Sequence, residues 1–315
     1  MKPVIAITLG DPAGIGPEIV EHSLIPSLFR QCKPLIIGPA PCVERLRRRF
    51  PFLTVIRSTG KTKKRIKPGK PSPLTGRAAL HALCIGITAC SEGTAHALVT
   101  APVSKHACRA VDSSFIGHTE YIARMVKSPN PIMMMQANSV RMVMLTRHQA
   151  FRRVSTSLTS RMVALTIQQT VDELQGIYHL PIKRSIVAAL NPHAGENGLL
   201  GKEETKILRP AITHLIKKGY LIDGPLSADV AIQKLFRHAY DLGFGLYHDQ
   251  VMIPFKVTMP ERLVNVTLGL PFVRTSPGHG TGFDIAGTDM VNSSAMREAL
   301  RVAIDMVKKK QHHEK

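Results

Sequence analysis

A two-domain α/β fold is predicted for this 315-residue chain from three observations. Short β-branched runs alternate with longer amphipathic segments. The runs stop at Gly, Pro or Asn, as buried strands do. No internal repeat or low-complexity linker interrupts the pattern. Residues 4–9, 34–37, 98–100 and 186–190 are the strand runs. Segments 76–92, 160–178 and 203–218 carry apolar residues at helical spacing. The second opens on a Ser cap, and the third sets Ile207, Ile212 and Leu215 on one side. Residues 294–310 close the chain as an amphipathic helix whose basic end suits the helix dipole. The middle reads differently. Runs 131–135 and 140–146, joined by Gln136-Ala137-Asn138-Ser139, form a hairpin, and 245–256 with 263–274 read as a later pair of extended segments. A chain of this length and pattern divides into two interwoven α/β domains with a cleft.

Composition excludes several functions. With 44% hydrophobic and 20% charged residues the chain is ordinary for a globular protein, and the absence of Trp, with 5% aromatics, argues against stacking platforms for single strands. The excess of 42 Lys+Arg over 22 Asp+Glu, a formal +20, is a number that a nucleic-acid protein would produce. The basic residues are nevertheless dispersed. The denser patches are Arg45-Leu46-Arg47-Arg48-Arg49 on a short helix, Lys61-Thr62-Lys63-Lys64-Arg65 in a loop, and Lys308-Lys309-Lys310 in a fraying tail. No zinc finger, RNP-type sequence or basic heptad accompanies them. A solvated basic surface that attracts small anions is preferred, with neither nucleic acid nor membrane as partner. Apolar stretches fall short of the ~20 residues of a spanning helix, and the N-terminal run is too brief for a signal peptide. The five cysteines form no C-x-x-C pair and read as buried thiols of a cytoplasmic protein.

Gly10-Asp11-Pro12-Ala13-Gly14-Ile15-Gly16-Pro17-Glu18 lies between a strand and a helix. It fails the Rossmann fingerprint, because Ile19 stands where the third glycine is required, and no Walker lysine follows. A tight turn and an anion cradle both fit it. His148, His193 and His248 each follow an apolar run, the strand-end position where ligands of α/β proteins collect. Three neutral imidazoles suit a divalent ion that keeps open positions. Other groups suit a phosphorylated acid: His118 and Thr119 in Gly117-His118-Thr119-Glu120, and Lys256, Asn265 and Arg274 on the late extended segments.

Residues 10–18, Thr100-Ala101-Pro102-Val103-Ser104-Lys105, 117–120, 190–196, 247–250 and Val264-Asn265-Val266-Thr267-Leu268-Gly269-Leu270-Pro271 together resemble the 4-hydroxythreonine-4-phosphate dehydrogenase family of vitamin B6 biosynthesis, in order over nearly the whole chain. The resemblance implies an isocitrate/isopropylmalate-dehydrogenase-like, non-Rossmann fold. Its first domain would span 1–130 plus 285–315, and its second 131–284, with the dimerisation and metal-site elements. It also implies a homodimer whose active site lies in the interdomain cleft at the dimer interface. His148, His193 and His248 are then ligands of Zn²⁺, Mg²⁺ or Co²⁺, and His118, Thr119, Lys256, Asn265 and Arg274 bind substrate. The implied reaction oxidises 4-phosphooxy-L-threonine with NAD or NADP; the 2-amino-3-oxo acid then loses CO₂ to give 3-amino-2-oxopropyl phosphate. Asp229, Asp249 and Lys256 are the catalytic candidates, the two aspartates for orienting the metal histidines or moving a proton. Paralogues of the family oxidise 4-phosphothreonate or 4-phosphoerythronate. This chain departs from the family pattern in Gln149-Ala150-Phe151-Arg152-Arg153, which replaces a Pro-Leu-Arg-like stretch, and in Val251, which replaces a glycine.

Overall fold

Parallel strands covered on both faces need apolar residues at nearly every position. Three runs near the N-terminus meet that need: β1 (Val4–Thr8), β2 (Lys33–Pro39) and β4 (Ala97–Thr100) are almost wholly buried, with the less buried β3 (Thr54–Thr59) beside β2. The computed structural model describes residues 2–59 and 66–313, so the basic loop 61–65 lies outside the described residues. Two units emerge, Met1–Pro131 with Glu261–Lys315, and Ile132–Pro260.

In the first unit the helices are α1 (Gly16–Ser23), α2 (Pro26–Gln31), α3 (Ala40–Arg49), α4 (Pro73–Ser91), α5 (Lys105–Arg109) and α6 (His118–Met125). A capping box starts α4: the Ser72 hydroxyl accepts from Thr75 N, and Thr75 Oγ1 accepts from Ser72 N. Among the described residues α4 is the one helix long and apolar enough to cross a membrane. Arg77 and His81 break its apolar run in the sequence; both face outward, while Ala78, Leu80, Leu83 and Ile87 are buried against the sheet. All five cysteines belong to this unit and are unpaired. Burial pushes the thiols of Cys32, Cys90 and Cys108 up to about 12.

The second unit opens with the expected hairpin, β5 (Ile132–Ala137) against β6 (Val140–Met144), with Asn138 in the left-handed region at φ 53°. There follow α7 (Val154–Ser157), α8 (Ser160–Gly176), β7 (Ser185–Ala188), a π-helical turn at Glu204–Leu208 running into α9 (Arg209–Lys217), β8 (Ile222–Leu226), α10 (Ala228–Phe236), β9 (Leu242–Gly245) and α11 (His248–Thr258). The cap of α8 is Thr159, one residue before the serine expected to serve. Strand order is β5-β6-β9-β7-β8, and every pair after the hairpin is parallel.

Segment 245–256 corrects the sequence reading, because most of it is helix α11 rather than strand. Val251, Met252 and Phe255 bury one helical face despite their strand-like composition. The Gln250 amide fastens the first turn, accepting from Leu246 N at 2.8 Å and donating to Ala189 O at 2.8 Å. Lys256 therefore stands on a helix.

The chain returns to the first unit with β10 (Val264–Leu268), β11 (Val273–Pro277) and α12 (Ser294–His313). Residues 261–284 thus group with the first unit, where the domain expectation had them in the second. The cause is pairing: β11 runs parallel to β4 and antiparallel to β10, giving the order β3-β2-β1-β4-β11-β10. Lys308-Lys309-Lys310, expected in a fraying tail, continue α12.

Candidate active site

Arg274 on β11 pairs with Thr267 on β10 and with Leu98 on β4, so Thr100, two residues along β4, shares its face of the sheet. Arg274 Nη1 donates to Thr267 Oγ1 at 3.0 Å and Nη2 to Thr100 Oγ1 at 2.7 Å. Its Nε has no partner, and the residue is 1% exposed. A guanidinium so buried without a carboxylate is costly and calls for an anion. Burial pulls its pKa down to about 10, against the opposing charge of Glu120, so it remains a cation at neutral pH.

Helix α6 begins nearby in electrostatic terms. Gly117 caps it in extended conformation and supplies no side-chain acceptor, so the first-turn amides of His118, Thr119 and Glu120 have none within the helix. His118 Nε2 is shut off from solvent without a partner, as is Asn265 Oδ1 on β10. Burial first, then the charges of Arg274 and Lys105, hold the His118 pKa well below 6.5. Its imidazole is therefore neutral at pH 7, one nitrogen donating and the other accepting. A depressed histidine pKa means that the unfolded chain binds the proton better. Its contribution to stability is then complete above about 6.5 and lost as pH falls below that value. We expect the melting temperature to drop between pH 7 and pH 5, and His118→Asn to shrink that drop. An unchanged drop in the variant would contradict this account.

In the second unit β6, β9 and β7 lie side by side and parallel. His148, His248 and His193 follow their carboxyl ends by four, three and five residues. The rings of His148 and His248 stand 5.9 Å apart. His248 Nδ1 and Asp249 Oδ1 share a 2.6 Å hydrogen bond, the carboxylate–imidazole arrangement that fixes the tautomer of a metal-ligating histidine. His193 does not join the pair: among the described residues no three His, Cys, Asp or Glu side chains stand close enough to hold one ion. Donor identity and strand-end position fit a divalent metal; the set is closed only as far as two imidazoles.

The backbone at two of these histidines is left-handed. Residues His193 to Asn197 form a left-handed turn with φ between 41° and 77°, and His148 has φ 29°. Such conformations cost non-glycine residues roughly 1–2 kcal/mol each and persist where the surroundings impose them. Glu204, 1% exposed, imposes this one. Its Oε1 accepts from Leu190 N at 2.9 Å and Asn191 N at 2.8 Å, and its Oε2 from Asn191 Nδ2 at 2.9 Å. Gly195 packs so closely on this carboxylate that a Cβ there would lie 2.7 Å from Oε2.

Asp229 is exposed in the first turn of α10. Lys256 is exposed on α11, eight residues beyond His248, roughly 12 Å along the axis. The departing segment after His148 is anchored by Phe151, whose ring meets Tyr247 edge-on at 5.3 Å, next to the His148–His248 pair. Val251 is fully buried, its Cγ2 filling the space over Gly245.

The glycine-rich turn is structural. Amides of Asp11, Ala13, Gly14 and Ile15 are spent on Pro102 O, Asp11 Oδ1, Asp11 O and Thr281 O. Gly10, at φ 67°, would carry a Cβ 2.2 Å from Pro102 O. Sequence reasoning missed Glu204, the two threonines that hold Arg274, and His279, whose Nε2 is buried without a partner. No spacing rule singles out such residues.

A family described as pyridoxal phosphate biosynthetic protein PdxA matches residues 30–303. A 4-hydroxythreonine-4-phosphate dehydrogenase from Zymomonas mobilis is 37% identical, across 99% of this chain and 97% of that one. A solved 4-hydroxythreonine-4-phosphate dehydrogenase from Klebsiella pneumoniae is 30% identical with a TM-score of 0.85 over 98% of each chain. An isocitrate dehydrogenase from Methylococcus capsulatus, 11% identical with a TM-score of 0.53 over 100% of this chain and 88% of that one, shares the fold alone.

Proposed function

The chain belongs to the PdxA family of pyridoxal phosphate biosynthetic proteins, and from that membership we propose an oxidoreductase that converts 4-phosphooxy-L-threonine to 2-amino-3-oxo-4-(phosphooxy)butanoate. That product decarboxylates to 3-amino-2-oxopropyl phosphate on the way to pyridoxal 5′-phosphate. The observation that carries the reading, beside family membership, is the trio His148, His193 and His248 following the same ends of three neighbouring parallel strands. These histidines would hold Zn²⁺, Mg²⁺ or Co²⁺. When bound, the metal supplies Lewis acidity at the hydroxyl oxygen and NAD or NADP supplies the hydride acceptor.

The chain's own residues do the rest. Neutral His118 and the open amides of α6 hydrogen-bond the substrate, with Thr119 and Asn265. Asp249 orients His248 through its 2.6 Å hydrogen bond. Lys256 neutralises phosphate or carboxylate, and Asp229 or Asp249 moves the proton of the reacting hydroxyl. The reading includes a cytoplasmic homodimer whose active site lies at the subunit interface. Such a dimer would cover exposed apolar residues on the histidine-bearing segments, among them Phe151, Leu199 and Val257.

The test is absorbance at the reduced-nicotinamide band when metal-supplemented protein meets 4-phosphooxy-L-threonine with NAD or NADP. Turnover is expected. Silence on this substrate with turnover of 4-phosphothreonate or 4-phosphoerythronate would overturn the substrate and leave the reaction type standing.

A further inference from the structure

We propose that Lys105 is a further side chain that meets the substrate's anionic group in the first unit, adding an exposed cation to the buried one of Arg274. The assignment rests on the phosphorylated-acid reading above.

Three observations lead to it. First, the position of Lys105 is built. The Ser104 hydroxyl accepts from Ala107 N at 3.1 Å and fixes the start of α5. The lysine stem then passes over Gly117: a Cβ added there would lie 3.7 Å from Lys105 Cε, 4.0 Å from its Nζ and 3.1 Å from Glu120 Oε2. The ammonium thus stands at the residue that opens α6, beside first-turn amides that have no acceptor within the helix, in a space that any side chain at position 117 would fill.

Second, Lys105 is accessible and uncommitted. It is exposed, and among the described residues it makes no ion pair within 4.0 Å. Arg274 differs on both counts, being 1% exposed with both Nη atoms held by threonine hydroxyls. Arg274 keeps one donor free, its unpartnered Nε, so the buried guanidinium adds its charge, and Lys105 is the cation that presents surface.

Third, two cations act on one small region. With His118 neutral, the cations Arg274 and Lys105 both act on it, and Glu120 acts on Arg274. The same unit holds three buried polar atoms without partners, Arg274 Nε, His118 Nε2 and Asn265 Oδ1. A phosphate or carboxylate supplies the missing charge and an acceptor for the Arg274 Nε donor, while Asn265 Oδ1 is free to accept from a donor of the substrate.

The experiment compares the unmutated full chain with Lys105→Met and Lys105→Arg. Calorimetric titration with inorganic phosphate is run beside steady-state kinetics with 4-phosphooxy-L-threonine. Losing one charge-assisted contact, Lys105→Met is expected to weaken phosphate binding and raise KM about 10–100-fold. A role in binding alone leaves kcat within about 3-fold. Lys105→Arg should recover most of the loss, and neither variant should shift the melting temperature, because the side chain is exposed. Unchanged phosphate affinity and KM in Lys105→Met, beside an active unmutated enzyme, would overturn the assignment and spare the proposed reaction. An unmutated chain that fails to oxidise the substrate, yet binds phosphate in a Lys105-dependent way, would do the reverse. A chain that shows no phosphate binding and a KM indifferent to Lys105 also overturns the assignment.

Discussion

His193→Asn is expected to abolish divalent-metal binding and to lower turnover about 10³-fold, the equivalent of the several kcal/mol of charge stabilisation that a metal supplies. Asparagine is chosen because His193 sits at φ 52°, a backbone region that asparagine tolerates better than alanine. The substitution removes the imidazole and leaves the left-handed turn in place. His193 is exposed, so the folded chain should survive with its melting temperature within a few degrees of the parent. Cobalt absorption spectra report the ligand set without reference to activity. The result is informative because the rings of His148 and His248 stand 5.9 Å apart while, among the described residues, no third donor completes a group. Cobalt binding of parental strength in His193→Asn would leave those two as the centre and remove His193 from it.

Glu204→Ala should produce the largest loss of stability. The carboxylate accepts from two backbone amides and the Asn191 amide, and removing it strands these donors in a partly buried loop base. At roughly 1–3 kcal/mol for each unsatisfied group, and with Asn191 Nδ2 keeping its bond to Glu203, the two stranded amides sum to about 2–6 kcal/mol. A fall of about 5–20 °C in melting temperature follows. Hydrogen exchange at Leu190 and Asn191 should accelerate as well. A shift under about 1 kcal/mol would mean that water replaces the carboxylate without loss.

How much of this was legible in the sequence depends on the kind of signal. Buried parallel strands announce themselves, since β1, β2 and β4 cannot be anything but apolar. The hairpin was legible through Asn138 and Ser139 between two apolar runs. The histidines were legible as strand-end residues, because β6, β9 and β7 each stop shortly before one. Helix α11 was not. Val251, Met252, Ile253, Phe255 and Val257 have strand-like composition, and a Gln250 side chain fastened to another strand end decides the matter. Arg274 was legible as a cation but not as a buried one, since its burial depends on threonines from two other strands. Glu204 left no trace, because its partners are backbone amides.

The five cysteines have a practical consequence. A thiol reacts as its thiolate, and those of Cys32, Cys90 and Cys108 are both buried and held near 12. The second unit, residues 132–260, contains no cysteine at all. After the partly exposed Cys42 and Cys84 have been consumed, further alkylation at neutral pH has to wait for the first unit to open. A thiol reagent is therefore a stopwatch wired to one half of the chain: it runs when residues 1–131 and 261–315 come apart and stays silent while the histidine-bearing half melts.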